Sequence, residues 1–132
     1  MSTRCMIEVD HCAVKLYRHS DGYPEGESGV LASLIPQCKK FLAHRGWDPS
    51  YLLARIAQWQ MDESDADMAE FRKGQNMKPQ VECLSFGLDT QYHGDLEYVY
   101  IIKLIDQKPV VAVYFFDYKK GKPGECLSVH EL

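Results

Sequence analysis

Histidine, tyrosine and carboxylate side chains fall close together twice in this chain. "RHSDGYPEG" holds His19, Asp21, Tyr23 and Glu25, and "DTQYHGDLEY" holds Tyr92, His93 and Asp95. A histidine oriented by a carboxylate serves as a general base. His19 or His93, with Asp21 or Asp95 behind it, is therefore the candidate pair for a small enzyme. Convergent aromatic and polar groups also build recognition sites for small molecules, nucleotides or proteins. Plain turn chemistry accounts for many of the same residues. Asp-Gly and Pro-x-Gly place an unusual backbone conformation at Gly22 or Gly26, and Pro24 holds Tyr23 extended.

A third group is the acidic run Asp62, Glu63, Asp65, Asp67 and Glu70. Such a run is a solvated helix face, or it is a field that attracts a cationic, nucleic-acid-binding surface by imitating phosphates. Other chemistry is missing its motifs. There is no phosphate-binding loop, dinucleotide fingerprint, nucleophile elbow or HExxH pattern. The histidines and cysteines lack the short spacing of a zinc site. "DESDAD" lacks the glycine and distal glutamate of a calcium loop. His11 and Cys12 are neighbours in a turn, where side chains point apart, so a thiolate–imidazole pair is not expected. No cofactor and no metal are implied.

The elements that must position these groups follow from periodicity. "CMIEVD" alternates Cys5, Ile7 and Val9 against Met6, Glu8 and Asp10, the period of a strand. "AVKLYRH" alternates again, with Val14 and Leu16 inward and Lys15, Tyr17 and His19 outward. A turn at "DHC" joins them as a hairpin. Val30, Leu31, Leu34, Ile35, Cys38, Phe41 and Leu42 then mark one helical stripe. Ser28 is its expected N-cap, Pro36 its expected kink and Gly46 its stop. Asp48 and Pro49 open a second helix with Leu52, Ile56 and Trp59 on its apolar face. Ser64 is expected to cap a short third helix ending at Gly74.

After Pro79 the period returns to two. "QVECLSFG", "DLEYVYIIKLI" and "VVAVYFFDY" read as strands. Leu96, Tyr98, Tyr100, Ile102 and Leu104 are expected on one side, and "ECLSVHEL" adds a short edge strand. The predicted fold is α+β: an antiparallel sheet of about five strands, covered on one face by two or three helices. The expected core is Ile7, Val14, Leu16, Leu34, Ile35, Phe41, Ile56, Ile102, Val111 and Val113.

The 132 residues suit a single domain, 1–132, and 45% hydrophobic with 26% charged residues is a globular balance. A net charge of −4 argues against direct nucleic-acid binding and fits a basic protein partner. No apolar run is long enough to span a bilayer, so no membrane partner is expected. The five cysteines are odd in number and widely spaced, which fits a reducing cytoplasm rather than a disulfide framework.

"TRCMIEV", "LYRHSDGYPEG" with "GVL" behind it, and "HGDLEYVYII" together resemble a widespread set of small phage, prophage and bacterial proteins. That set carries a Tyr-x-x-x-Asp-Gly-Tyr-Pro-x-Gly signature after an N-terminal hairpin. The resemblance covers the N-terminal third and the Gly94–Ile102 strand, not the acidic middle. Many relatives carry a bulky aromatic where Ser20 stands here. The resemblance implies a mobile-element setting. Three readings follow. The first is a noncatalytic phage or mobile-element protein that binds a host protein, with inhibition of a defence-system component as its concrete form. The second is a small-molecule or nucleotide-binding domain using the Tyr/His/Asp loops. The third is a small enzyme with a His/Asp general base.

Overall fold

The computed structural model describes residues 2–78 and 85–132. Two strands, β1 (Cys5–Val9) and β2 (Lys15–Arg18), are followed by helices α1 (Val30–Arg45) and α2 (Pro49–Gly74). Four more strands follow: β3 (Phe86–Asp89), β4 (Tyr98–Ile105), β5 (Lys108–Asp117) and β6 (Lys122–Glu131). The fold is α+β, with one six-stranded sheet in the order β3-β2-β1-β4-β5-β6. The sheet is mixed rather than antiparallel throughout: β1 and β4 run parallel, with Ile7 opposite Tyr100, and the other neighbours are antiparallel. Between the hairpin and β4 the chain passes through both helices and adds β3 antiparallel to β2 at the sheet edge, a long crossover of the kind a parallel neighbour requires. Part of the strand expected over "QVECLSFG" lies outside the described residues; its end is β3.

Strand alternation sorts side chains between the faces. Cys5, Ile7, Val9, Leu16, Tyr100, Ile102, Val111 and Val113 meet Val30, Leu34, Cys38, Phe41, Leu52 and Ile56 of the helices in the main core. Burying one such aliphatic side chain contributes roughly 1.5–3 kcal/mol. The opposite face carries a smaller cluster of Met6, Leu96, Val99 and Phe116. Leu96 therefore does not share a face with Tyr100, as simple alternation predicts. It precedes β4, where the N–H groups of both Glu97 and Tyr98 reach the Arg4 carbonyl and break the alternation.

Other expectations are corrected locally. Val14 is 38% exposed, because it lies in the turn before β2 pairs with β1, and Ile35 is only half-buried. The N-cap of α1 is Gly29, not Ser28. A Cβ at position 29 would overlap the Glu25 and Pro24 carbonyls, so the close backbone approach selects glycine there. Pro36 is accommodated within one continuous α1. Ser64 caps nothing: α2 runs unbroken for 26 residues with Pro49 in its first turn. Tertiary packing of the Leu52–Ile56–Gln60 stripe carries the helix through a stretch poor in apolar residues.

Candidate functional site

The two Tyr/His/Asp loops are adjacent in space, but only part of each enters a common cluster. On the helix-free face of the sheet, Tyr17 of β2 stacks on His93 with ring centroids 3.9 Å apart. The Tyr17 hydroxyl lies 2.8 Å from Nδ1 of His19. Arg4 Nε lies 3.3 Å from the same nitrogen and 3.2 Å from the Asp95 carboxylate. Tyr92 donates its hydroxyl to Glu8 at 2.5 Å, and Lys15 Nζ lies 3.6 Å from the other Glu8 oxygen. Burial raises the phenols of Tyr17 and Tyr92; the Asp95 charge adds to the first and the hydrogen bond to Glu8 adds to the second.

This arrangement does not match the general base expected from sequence. His93 meets Asp89 at 3.4 Å rather than Asp95, and His19 meets Arg4 and Tyr17 rather than Asp21. Asp89 is held low chiefly by the backbone N–H groups of Gln91 and Thr90, with His93 adding less. His19, Tyr92, His93 and Asp95 thus answer one another and the strand residues Glu8, Lys15 and Tyr17.

Asp21 goes elsewhere. It takes the left-handed conformation itself, with φ 54°; of the two glycines expected to hold an unusual backbone, Gly26 does so with φ 85° and Gly22 does not. Gly22 is needed for space instead: a Cβ there would lie 2.8 Å from the Thr3 carbonyl oxygen and 2.9 Å from the Cys5 Cβ. Its carbonyl accepts the buried Tyr100 hydroxyl at 2.7 Å, which ties the loop to the centre of the sheet. Tyr23 is half-buried and its carbonyl accepts the Val30 N–H at 2.9 Å, so it serves the entry to α1. Glu25 is exposed on the same connection.

Past His19 the chain bends onto the helix side. There Asp21 lines a polar cleft of about 240 Å³ with Ser20, Glu27, Ser28, Glu63, Ser64 and Asp67. The helical stripe explains the cleft. Leu52, Ile56 and Gln60 follow one another at four-residue spacing toward the core, and Glu63, Ser64 and Asp67 continue that side of α2 beyond the edge of the apolar core. The acidic run is thereby divided. Glu63 and Asp67 enter the cleft, Asp62 and Glu63 line a neighbouring groove with Lys40 and Trp59, Asp65 is half-buried, and Glu70 is exposed farther along α2.

Beneath the cleft lies a buried polar network that sequence reasoning did not find. Arg18 shares the inward face of β2 with Leu16 and donates to Gln60 Oε1 at 2.5 Å. Gln60 is 1% exposed, and its amide donates to Ser33 Oγ at 2.8 Å and to Gln37 Oε1 at 2.9 Å. Arg18 also donates to the Ser20 carbonyl at 2.8 Å, holding the start of the loop. The available signal was Gln60 at the next place of the Leu52–Ile56 row.

Among the described residues, none of Asp21, Glu27, Glu63 and Asp67 forms an ion pair, and Arg18 is the one cation lining the cleft. The site offers fixed negative charge and serine hydroxyls around a half-buried guanidinium already bonded to Gln60 and the Ser20 carbonyl, which suits a cationic side chain entering from outside. Among the described residues no three His, Cys, Asp or Glu side chains are grouped to hold a metal, and no helix is long and apolar enough to cross a membrane. Compared with known proteins, the chain matches no family model, no curated protein and no solved structure.

Proposed function

We propose that this chain is a noncatalytic interaction protein of a phage or mobile element, and that it binds a basic surface of a host protein in the cytoplasm. Its concrete form is inhibition of a defence-system component whose cationic face handles nucleic acid. The observation that supports this reading is the meeting of Asp21, from the "SDGYPEG" loop, with Glu63 and Asp67 of the acidic run in one cleft. Two segments far apart in sequence supply the same charge to one concave surface, over a floor braced by Arg18 and Gln60. A lysine or arginine of the partner inserted there meets several carboxylates at once, and the surrounding field speeds and orients its approach. Neither histidine is aligned by the aspartate expected for a general base: His19 meets Arg4 and Tyr17, and His93 is paired with Asp89 and has its ring stacked on Tyr17.

The test is affinity capture from host lysate with two baits in parallel. One is the wild-type chain and the other is Asp21→Asn/Glu63→Lys/Asp67→Lys. Asn is chosen at position 21 because it tolerates the left-handed conformation. A host protein retained by the first bait and lost by the second, with retention falling as salt rises, supports the proposal. Equal capture by both baits counts against it.

A further inference from the structure

The other end of the helix pair carries the opposite charge. Lys40, Phe41, His44 and Arg45 of α1 face Tyr51, Arg55 and Trp59 of α2 across two contiguous hollows of about 540 and 240 Å³. Both hollows are lined by Phe41, Arg45 and Arg55, and no carboxylate lines either. Phe41 is 7% exposed and Trp59 is half-buried, so together they form an apolar floor. The rim is cationic and held against aromatic rings. Lys40 Nζ lies 4.9 Å from the Trp59 ring centre and the Arg45 guanidinium 3.9 Å from that of Tyr51. Arg45 also pairs with Asp48 at 2.9 Å, and Arg55 is steadied by Gln58 at 2.6 Å. In a chain of net charge −4, this gathering of cations around an apolar trough is a local reversal of sign.

We propose that this groove docks a short acidic segment of a protein partner, anchored by one or two apolar side chains. It is a second surface, independent of the acidic cleft. Charge complementarity selects the acidic partner: carboxylates reach Lys40, Arg45 and Arg55 while a leucine- or phenylalanine-type side chain covers Phe41 and Trp59. The aromatic rings already carry cations on a face, which favours carboxylates and aliphatic side chains over stacked bases. The groove also limits the length of the segment. From Tyr51 to Trp59 the helix rises about 12 Å, roughly two turns. Beyond Trp59 the groove is lined by Asp62 and Glu63, which repel further acids.

The full chain is titrated with a fluorescein-labelled octapeptide of glutamates carrying two leucines four residues apart. The same peptide with lysine in place of glutamate, and an octathymidylate strand, are titrated alongside. The glutamate peptide is expected to bind and to perturb tryptophan fluorescence, and Lys40→Glu/Arg55→Glu, both at exposed positions, to weaken it about tenfold or more. Circular dichroism checks that the variant remains folded. Extending the peptide by four further glutamates gains no affinity.

Absence of binding, equal binding of the lysine peptide, or an unchanged affinity in the charge-reversed variant overturns the proposal. Tighter binding of the oligonucleotide makes the groove a nucleic-acid site and overturns it too. So does a dimer of the free chain that sedimentation shows dissolving on charge reversal, since a second copy's acidic half is then the occupant. Asp21→Asn/Asp67→Lys, which changes the acidic cleft but leaves Glu63 at the groove end untouched, keeps full peptide affinity, so failure here and failure of the lysate capture are separate results.

Discussion

The helix-free cluster around Tyr17 and the acidic cleft around Asp21 are centred four residues apart along the same β2 exit, yet they use polar side chains in opposite ways. In the cluster each charge has an answer: Arg4 holds Asp95, Lys15 and Tyr92 hold Glu8, and Asp89 meets His93. Tyr17 and Tyr92, which these charges hold in place, pack against the second apolar cluster of Met6, Leu96, Val99 and Phe116 and so serve the fold. In the cleft the carboxylates stand over a buried network whose members bond one another instead. Side chains of the right type for recognition are thus available only where the structure has not already used them. Exposed charges left over in this way add little to stability but produce a field outside the molecule.

Among the polar positions the largest effect should come from the floor shared by fold and site. Gln60→Ala removes one acceptor of Arg18 and the donor to Ser33 and Gln37; Arg18 and Ser33 keep backbone partners, but the buried Gln37 side chain is left unanswered. It should lower unfolding free energy in urea by roughly 1–3 kcal/mol. A variant as stable as wild type would mean that the floor is not a structural unit, and the contrast between floor and rim would break. Leu34→Ala provides a core reference, with an expected loss of about 2–5 kcal/mol for a fully buried leucine.

The aromatic cluster comes next. Tyr17→Ala removes the stack on His93 and the contact with His19, and should cost about 0.5–1.5 kcal/mol beyond its lost burial. An unchanged denaturation midpoint would show that the cluster is not bracing the sheet, and would return His19 and His93 to the list of groups free to act.

A pH series sharpens the same contrast. Burial pushes the Cys5 and Cys38 thiols up to about 12 from an ordinary 9.0. Their protonated forms are favoured in the folded chain, so that contribution to stability is complete below pH 9 and is lost as pH rises toward 12. Thermal melts should therefore weaken across that window. Residue-resolved alkylation at pH 8 should label exposed Cys126 well before Cys5 or Cys38. The smallest effect belongs to the cleft rim, where Glu63→Lys/Asp67→Lys should shift stability by less than about 0.5 kcal/mol.

Periodicity made the layers legible. The Cys5–Ile7–Val9 alternation, the α1 stripe, the Asp48-Pro49 start and the Gly46 stop all stand where spacing places them. The parallel β1–β4 pair was not legible, because alternation reports which residues share a face but not which strand lies beside which. Continuity of α2 past Gln60 was hidden by the polar composition of "DESDAD", which tertiary packing of the preceding turns overrides. For the site, sequence placed the right residue types in two loops and one helix. It could not foresee that Asp21 would part from His19, because that depends on a bend after β2 fixed by Arg18 bonding the Ser20 carbonyl. Nor did it isolate Glu63 and Asp67 from their neighbours, although their four-residue spacing was visible.

The central claim is that the cleft and not the aromatic cluster recognises the partner. The direct measurement is the affinity of the captured host protein, by calorimetry, for the wild-type chain, for Asp21→Asn/Glu63→Lys/Asp67→Lys, and for His19→Ala/His93→Ala. The account predicts at least about a tenfold loss for the first variant, from several charge contacts removed together, and an affinity near wild type for the second. The reverse pattern, with binding lost on removing the histidines and kept when the cleft is reversed, would contradict it.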